Sequence, residues 1–274
     1  MENKEGKNLV VDWGHKMSEI LRTDCVSRYF GGLKAVNNVS MTVNAGDIFG
    51  IIGPNGAGKT TFFNVCSGIY KPTEGKVFLC GKDISNLRPE NISKIGISRT
   101  FQSTQLFQYM SVLENVKIGC HMATKSRLYD AILHTKTYRQ DEEFATEKAL
   151  EMLKYVGLSE YADVMAGNLS YGIQRRVEIA RSLATDPKIL LLDEPAAGMN
   201  RLETDALQEF LKQLNANGQT ILLIEHDMKF VMNSCNQIMV LNFGEKICEG
   251  PPGVVSDDPQ VQAAYFGSGK IGRR

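Results

Sequence analysis

Short apolar runs with strand character open the chain and return throughout it. From Ile20 to about Val43, β-type residues are interrupted by Gly31–Gly32 and by Asn37–Asn38, which predicts antiparallel hairpins. The later runs are compact, and the four apolar residues Ile189–Leu192 suit a strand that is buried on both faces. The later runs lie at Asp47–Ile52, 76–80, Ile189–Leu192, Thr220–Ile224 and Ile238–Leu241.

Between about residues 87 and 158 the apolar spacing becomes helical. Ala145, Ala149 and Leu153 recur four apart, and Gly157 stands where a helix would end. Further helices are predicted up to about Ala184, around Glu203–Leu214 and around Met228–Ser234. Because these helices alternate with the later strands, the fold class is predicted to be α/β with a mostly parallel core sheet.

Composition narrows the class of protein. Thirty-one basic residues balance thirty-one acidic ones, so the net charge predicts no nucleic-acid partner. The N-terminus lacks the apolar stretch of a signal peptide, and no apolar run is long enough to cross a bilayer. Six scattered cysteines without a CxxC pair predict reduced thiols and no structural zinc site.

GPNGAGKT, at residues 53–60, fits the phosphate-loop pattern GxxxxGK[ST] between a predicted strand and a predicted helix. Its glycines permit a tight turn that aims backbone N–H groups at phosphates. Lys59 is predicted to neutralise the β and γ phosphates, and the hydroxyl of Thr60 to hold Mg²⁺. The predicted nucleotide contacts are Gly53, Pro54, Asn55, Gly56, Ala57, Gly58, Lys59, Thr60 and Thr61.

Two later strands end in residues suited to hydrolysis. Asp193 and Glu194 follow ILLL, so Asp193 is predicted to bind the metal through water and Glu194 to act as general base. Glu225 and His226 follow the strand TILLI in the same way. His226 is predicted to contact the γ-phosphate and to hold the geometry of the attacking water.

LSYGIQ, at residues 169–174, is a second anion-binding pattern, because Ser170 and Gly172 stand in front of what looks like a basic amphipathic helix. With GPNGAGKT, RTFQ, ILLLDEP and IEHD it completes an ordered set of motifs. This set resembles the nucleotide-binding subunit of an ABC transporter, and the resemblance covers about residues 20–267. It implies a P-loop ATPase with an N-terminal antiparallel β subdomain and an inserted α-helical subdomain.

The resemblance implies that two cassettes pair head to tail and enclose two ATP molecules. Each ATP would lie between the phosphate loop of one subunit and the signature of the other. Here the signature residues are Ser170, Tyr171, Gly172 and Gln174, of which Ser170 and Gly172 would hold the γ-phosphate of the partner's ATP. Tyr171 replaces a glycine of the common LSGGQ, and Ile173 takes the position of its glutamine.

The resemblance assigns two further site residues. Gln102 matches the glutamine that reaches the metal and the attacking water. Phe30 matches the aromatic residue that stacks on adenine, with Tyr29 as the alternative. The apolar residues Leu106, Phe107, Tyr109 and Met110 follow Gln102 and could pack between helices. The resemblance implies that some of them also line the groove that receives a cytoplasmic helix of the membrane subunit.

Finer features are similar to one branch, the ATPase subunits of bacterial importers for branched-chain and other hydrophobic amino acids. They are LSYGIQRRVEIARSLATDP, LLLDEPAAGMN, RTFQSTQLFQYMSVLENV and the short ending AYFG. The alternatives are a urea or lipid transporter of the same cassette type and a non-transport ABC ATPase. A DNA-repair ATPase would need long heptad repeats or a basic face, which this sequence lacks.

The domain organisation follows from the same resemblance. Residues 1–18 are predicted to be a loose N-terminal segment, 19–267 the ATPase domain with its helical subdomain at about 87–168, and 268–274 a C-terminal tail. The implied partners are a second ATPase subunit, either a paralogue or a second copy, membrane permeases and, indirectly, a substrate-binding protein. The protein would lie at the cytoplasmic face of the inner membrane, attached through these partners, with Mg²⁺ accompanying ATP.

Overall fold

The strands form two sheets in the computed structural model, which describes residues 19–100, 105–121, 130 and 132–266. The first is antiparallel, in the order β2-β1-β4-β5, and the second has six strands in the order β10-β9-β3-β8-β7-β6. In chain order the strands are β1 (Glu19–Phe30), β2 (Leu33–Asn44), β3 (Ile48–Ile52), β4 (Glu74–Leu79), β5 (Lys82–Asp83), β6 (Ile97–Arg99), β7 (Ile189–Asp193), β8 (Thr220–Ile224), β9 (Gln237–Asn242) and β10 (Glu245–Gly250).

The six-stranded sheet is parallel except for the β10–β9 pair. The helices that accompany it are α1 (Lys59–Cys66), α2 (Pro89–Ile95), α3 (Val112–Cys120), α4 (Lys136–Tyr155), α5 (Tyr171–Leu183), α6 (Arg201–Ala216), α7 (Met228–Ser234), α8 (Pro252–Asp257) and α9 (Pro259–Phe266). Two 3₁₀ turns, Ser159–Tyr161 and Ala166–Asn168, precede α5. The mostly parallel α/β fold predicted from the sequence is confirmed.

Alternate side chains of the central strands enter two different apolar cores. Leu191 of β7 and Leu222 of β8 pack with the aromatic residues of α1 and with the antiparallel sheet. Leu192 and Leu223, one position further, pack with the helices of the opposite face. This two-sided burial explains why the sequence shows continuous apolar runs at these strands.

The helical region begins with a well-capped helix. Ser111 and Glu114 form a capping box at the start of α3, which packs against α4 and α5. Ala145, Ala149 and Leu153 of α4 are all buried, as their spacing predicted.

Two predictions within the N-terminal half need correction. Asn37–Asn38 does not end a strand: β2 continues through it, with a left-handed φ of 53° at Asn38 and a shift in register against β1. The backbone N–H of Asn38 donates to the hydroxyl of Ser27, 2.9 Å away, which stabilises this bulge. The region after residue 87 is not wholly helical, since it contains the short strand β6.

The polar segment near the C-terminus also contains structure that the sequence pattern did not reveal, namely β10, α8 and α9. All six cysteines are free thiols, as predicted. Across the described ranges, the helices are too short or too polar to cross a membrane. Gln102, the segments 1–18 and 268–274 and part of the insertion around 119–140 lie outside the described residues.

Candidate nucleotide-binding and hydrolysis site

The phosphate loop occupies the turn between β3 and α1, and its glycines are required by the space around them. A Cβ atom on Gly53 would lie 2.1 Å from the carbonyl oxygen of Leu241, and one on Gly58 would lie 2.4 Å from that of Ala35. Both glycines also have positive φ angles, of 154° and 97°. Gly56 has a φ of 78°, but a Cβ there would meet nothing within 4 Å. The loop is therefore held against two neighbouring backbone segments at its ends and is open in its middle.

Lys59 begins α1 and is buried. Its Nζ atom donates to the carbonyl oxygens of Gly53 (2.7 Å) and Pro54 (3.0 Å), so the ammonium group spans the loop. Burial lowers the pKa of Lys59, and the nearby charge of Glu194 opposes this effect. The N–H groups of the first helical turn lack intrahelical acceptors, and no acidic side chain occupies that turn. Together they form a positively polarised site for an anion.

Asp193 and Glu194 lie at the carboxyl end of β7, the same edge of the parallel sheet as the phosphate loop. Asp193 is buried, and its Oδ2 accepts a hydrogen bond from Nη2 of Arg99 at 2.7 Å. Arg99 also donates to Oδ1 of Asn64 at 2.7 Å and to Oγ of Ser67 at 2.8 Å, both on or next to α1. Sequence analysis missed Arg99. Its position directly before the TFQ of the RTFQ motif was the available signal.

The oxygen donors near the phosphate loop fit Mg²⁺. The hydroxyl of Thr60 and the carboxylate of Asp193 are hard oxygen ligands, and Mg²⁺ is usually held by one or two such side chains together with substrate phosphates.

The structure brings His226 and Glu194 together, as the motif order suggested. Nδ1 of His226 lies 3.9 Å from Oε2 of Glu194 and 3.8 Å from Oε2 of Glu225. The side chain of His226 is 57% exposed, so a bound molecule can reach it.

Glu225, in contrast, is almost completely buried. It accepts hydrogen bonds from the backbone N–H groups of Ala196 (2.8 Å) and His226 (3.2 Å). Burial raises the pKa of Glu225, and these two hydrogen bonds oppose the rise. Glu225 therefore joins the loop after β7 to the loop after β8, a role that the sequence pattern did not indicate.

The signature residues start α5. Ser170 is its N-cap residue, although its hydroxyl makes no capping bond to the helix. The N–H of Gly172 donates to Oε1 of Glu203 at 3.3 Å, and Nε2 of Gln174 donates back to the carbonyl of Leu169 at 3.0 Å.

The arginines of this helix do not form the exposed basic face that its sequence suggested. Arg175 is fully buried, Arg176 donates to the carbonyl of Val156 at 2.6 Å, and Arg181 donates to that of Gln105 at 2.7 Å. They are used to bind backbone carbonyls.

Of the two candidate adenine-stacking residues, Phe30 is the more accessible. Its ring is 40% exposed and meets Tyr70 edge-on, with the guanidinium of Arg28 at 4.7 Å from its centroid. The hydroxyl of Tyr29 is instead within 3.3 Å of Asn37 Oδ1 and 3.2 Å of Glu74 Oε2. The stacking role of Phe30 stays a prediction, as does that of Gln102, which lies outside the described residues.

The apolar residues after the RTFQ motif separate into two groups. Leu106 is buried and belongs to the helical core. Phe107 and Tyr109 are exposed, Tyr109 by 93%.

A phosphate loop, paired acids after β7 and a histidine after β8, all at one edge of a parallel sheet, define a P-loop nucleoside-triphosphatase. Comparison with protein families narrows this class. The family model described as "ABC transporter" matches residues 36–197, and the model described as "Branched-chain amino acid ATP-binding cassette transporter" matches residues 245–271. The chain belongs to the family of ABC transporter ATP-binding subunits, which are ATPases.

Relatives in this family match the chain over most of its length. It is 46% identical to the "High-affinity branched-chain amino acid transport ATP-binding protein LivG" of Salmonella typhimurium, across 87% of this chain and 94% of that protein. It is 43% identical to the corresponding protein BraF of Pseudomonas aeruginosa, across 90% of this chain and 98% of that protein.

Solved structures agree with the fold. The ADP conformation of an ATP-binding cassette of an ABC transporter matches with a TM-score of 0.80 and 39% identity, over 91% of this chain and 99% of that one. A dimeric, post-hydrolysis cassette bound to ADP and Pi matches with a TM-score of 0.68 and 28% identity, over 85% of this chain and 99% of that one.

Proposed function

We propose that this chain is the ATPase subunit of an importer for branched-chain and other hydrophobic amino acids. The observation that carries the choice of cargo is the near half identity, over almost the whole length, to proteins named for branched-chain amino acid transport. The separate match of residues 245–271 to a C-terminal model of the same name supports it.

The site residues have distinct roles in this proposal. Lys59 and the first turn of α1 bind the phosphates, and Thr60 and Asp193 hold Mg²⁺, which neutralises charge on the phosphates when bound. Glu194 accepts a proton from the attacking water, and His226, beside it, contacts the γ-phosphate. Gln102 reaches the same water, and Phe30 stacks on adenine.

Pairing of two cassettes completes each site. Ser170, whose hydroxyl does not cap its own helix, binds the γ-phosphate of the ATP held by the partner. ATP then stabilises the closed dimer, and hydrolysis removes the contact. The partner is a paralogue or a second copy, and the pair lies at the cytoplasmic face of the membrane beneath its permeases. The exposed Phe107 and Tyr109 are the proposed contact with a permease helix.

A first experiment tests the chemistry. Glu194→Gln is expected to retain ATP binding and to hydrolyse ATP ~10²-fold more slowly, because the base is lost. Binding is measured by fluorescence of a labelled nucleotide and hydrolysis by phosphate release. Hydrolysis within a few-fold of the unmodified protein would assign proton abstraction to another group.

A second experiment tests sharing of the site between subunits. Lys59→Ala and Ser170→Arg chains, mixed in a dimer, place both lesions in one composite site and leave the other intact. Mixed dimers should recover activity that neither variant has alone. If dimers form and no activity returns, the signature does not act on the partner's nucleotide.

A third experiment tests the cargo. The complete transporter, rebuilt in vesicles with its binding protein, should hydrolyse ATP faster when leucine, isoleucine or valine is supplied. Urea, supplied to the same vesicles in place of the amino acid, is the matched control. Stimulation by urea alone, or by a lipid without any binding protein, would refute import of amino acids and leave the ATPase assignment intact.

A further inference from the structure

The backbone of Glu194 is held in an unusual conformation. Its φ angle is 44°, in the left-handed region that residues with a side chain rarely adopt. Such a conformation persists only where neighbouring groups fix it. The N–H of Glu194 donates to the carbonyl of Ile224 in β8 at 3.0 Å, which fixes one side of the residue.

Arg175 fixes the other side. Its Nη2 donates to the carbonyl oxygen of Glu194 at 3.0 Å, and its Nε donates to that of Pro195 at 3.1 Å. Two donors of one planar guanidinium thus bind two successive carbonyls, which restricts the direction of the chain at Glu194 more than a single bond could.

Arg175 is itself positioned by Glu178. Nη1 of Arg175 lies 2.7 Å from Oε2 of Glu178, one turn along α5, and both side chains are almost fully buried. A buried ion pair is a poor source of net stability, because desolvation cancels much of the attraction. Stability alone therefore does not account for this pair, whereas orientation of a guanidinium does.

The same helix also contacts the far end of the loop that follows Glu194. Gly172 donates to Glu203 at 3.3 Å, and the ring of Tyr171 lies beside Gly198. Helix α5 therefore contacts the segment 194–203 at its beginning, its middle and its end.

From these contacts, and resting on the proposed roles of Glu194 and Ser170, we infer that Arg175 is a positioning residue for hydrolysis and that Glu178 orients it. Arg175 holds the backbone from which the Glu194 carboxylate extends. Because Ser170 begins the same helix, engagement of Ser170 with the partner's nucleotide is transmitted to Glu194 of its own subunit. One helix thus links the two composite sites of the dimer.

Two variants test this inference and are chosen so that the protein still folds. Arg175→Lys keeps a positive charge beside Glu178 but cannot donate to both carbonyls in a fixed fork. The double variant Arg175→Met/Glu178→Met replaces both charges, which leaves neither one buried alone. The matched control is Arg176→Met, on the same helix, whose guanidinium donates to the carbonyl of Val156, directly after α4.

The expected result is a lower kcat with an almost unchanged affinity for ATP. Both Arg175 variants should bind ATP within about twofold of the unmodified protein while kcat falls ~10-fold or more, since small displacements of a catalytic group have effects of this size. Arg176→Met should lower the melting temperature without a selective fall in kcat. Equal kcat values for the Arg175 variants and the control would overturn the inference.

A double-mutant cycle with Glu194→Gln gives the decisive measurement. Once the carboxylate is gone, changing Arg175 should alter the remaining rate by no more than about twofold, because there is no base to position. A full additional loss would refute action through Glu194. Failure of the proposed function is seen separately, as rapid hydrolysis by Glu194→Gln alone.

Discussion

Arg99→Met is the substitution whose effect on stability can best be worked out from the structure. Methionine keeps an unbranched apolar stem, which can still pack near the ring of Phe63, where the guanidinium carbon now lies 4.9 Å from the centroid. It removes the hydrogen bonds to Asn64 and Ser67 and the ion pair with Asp193. The change therefore tests the contribution of the guanidinium group to stability, separately from that of the apolar stem.

The magnitude follows from the burial of the pair. The side chains of Arg99 and Asp193 are 11% and 9% exposed, so water screens their interaction only slightly. Removal of one partner of a buried pair typically costs ~3–5 kcal/mol, and the slight exposure here favours about 3 kcal/mol. For a chain of this size, that loss corresponds to a decrease in Tm of roughly 6–12 °C.

The assay is urea and thermal unfolding of the isolated chain, without nucleotide or Mg²⁺, followed by circular dichroism. The matched control is Lys212→Met, because the pair of Lys212 with Glu209 is 46% and 68% exposed. That control should change the free energy of unfolding by less than ~1 kcal/mol.

A second substitution tests the cause. In the Arg99→Met background, Asp193→Asn removes the carboxylate that has lost its partner, so part of the stability should return. The two changes together should cost less than the sum of their separate costs. If Arg99→Met is no more destabilising than Lys212→Met, or if the two effects simply add, the loss of stability does not come from leaving Asp193 buried without its partner.

Two other positions give separate predictions. Gly58→Ala should abolish ATP binding, because the new Cβ would meet a backbone carbonyl at 2.4 Å. Gly56 has a similar positive φ but open space around it, so Gly56→Ala should only weaken binding. Nucleotide titration measures both effects. The pKa of Glu225 is raised from 4.5 by burial, so the folded protein takes up a proton that the unfolded chain releases. Its contribution to stability is fully present below pH 4.5 and is lost as the pH rises through the folded-state pKa. Glu225→Gln should lack this loss, so the stability of the unmodified protein relative to the variant should fall as the pH rises above 4.5. Urea unfolding measures this difference, and a constant difference would contradict the direction of the shift.

The central strands could be predicted from the sequence almost to the residue. Burial on both faces leaves a continuous apolar run that ends abruptly where the chain reaches the sheet edge, as at Ile224 before Glu225. The same reasoning placed His226 near Glu194, because parallel strands end at the same edge. By contrast, β6 is only three residues long, and Asn37–Asn38 has the composition of a turn although it forms a bulge.

The polar contacts that organise the site could not be predicted in this way. Arg99 meets Asp193 across 94 positions of sequence, and Arg175 meets the backbone of Glu194 across 19. Neither contact leaves a periodic pattern, because a single charged side chain in an amphipathic segment looks the same whether it points to water or to a carbonyl. Tertiary packing decides between these two orientations, and in α5 the arginines donate to backbone carbonyls.

Three carboxylates at one sheet edge repel one another, and each is stabilised by different neighbouring groups. Asp193 is neutralised by Arg99, and Glu225 is buried, with two backbone N–H groups as donors and a raised pKa. Glu194 differs from both, because its side chain is 21% exposed and lies beside His226. The exposure of Glu194 and its position beside His226 support the proposal that Glu194 is the acid that accepts a proton from the attacking water. In this proposal the strained backbone of Glu194 matters, because it sets the direction in which the carboxylate extends toward the attacking water.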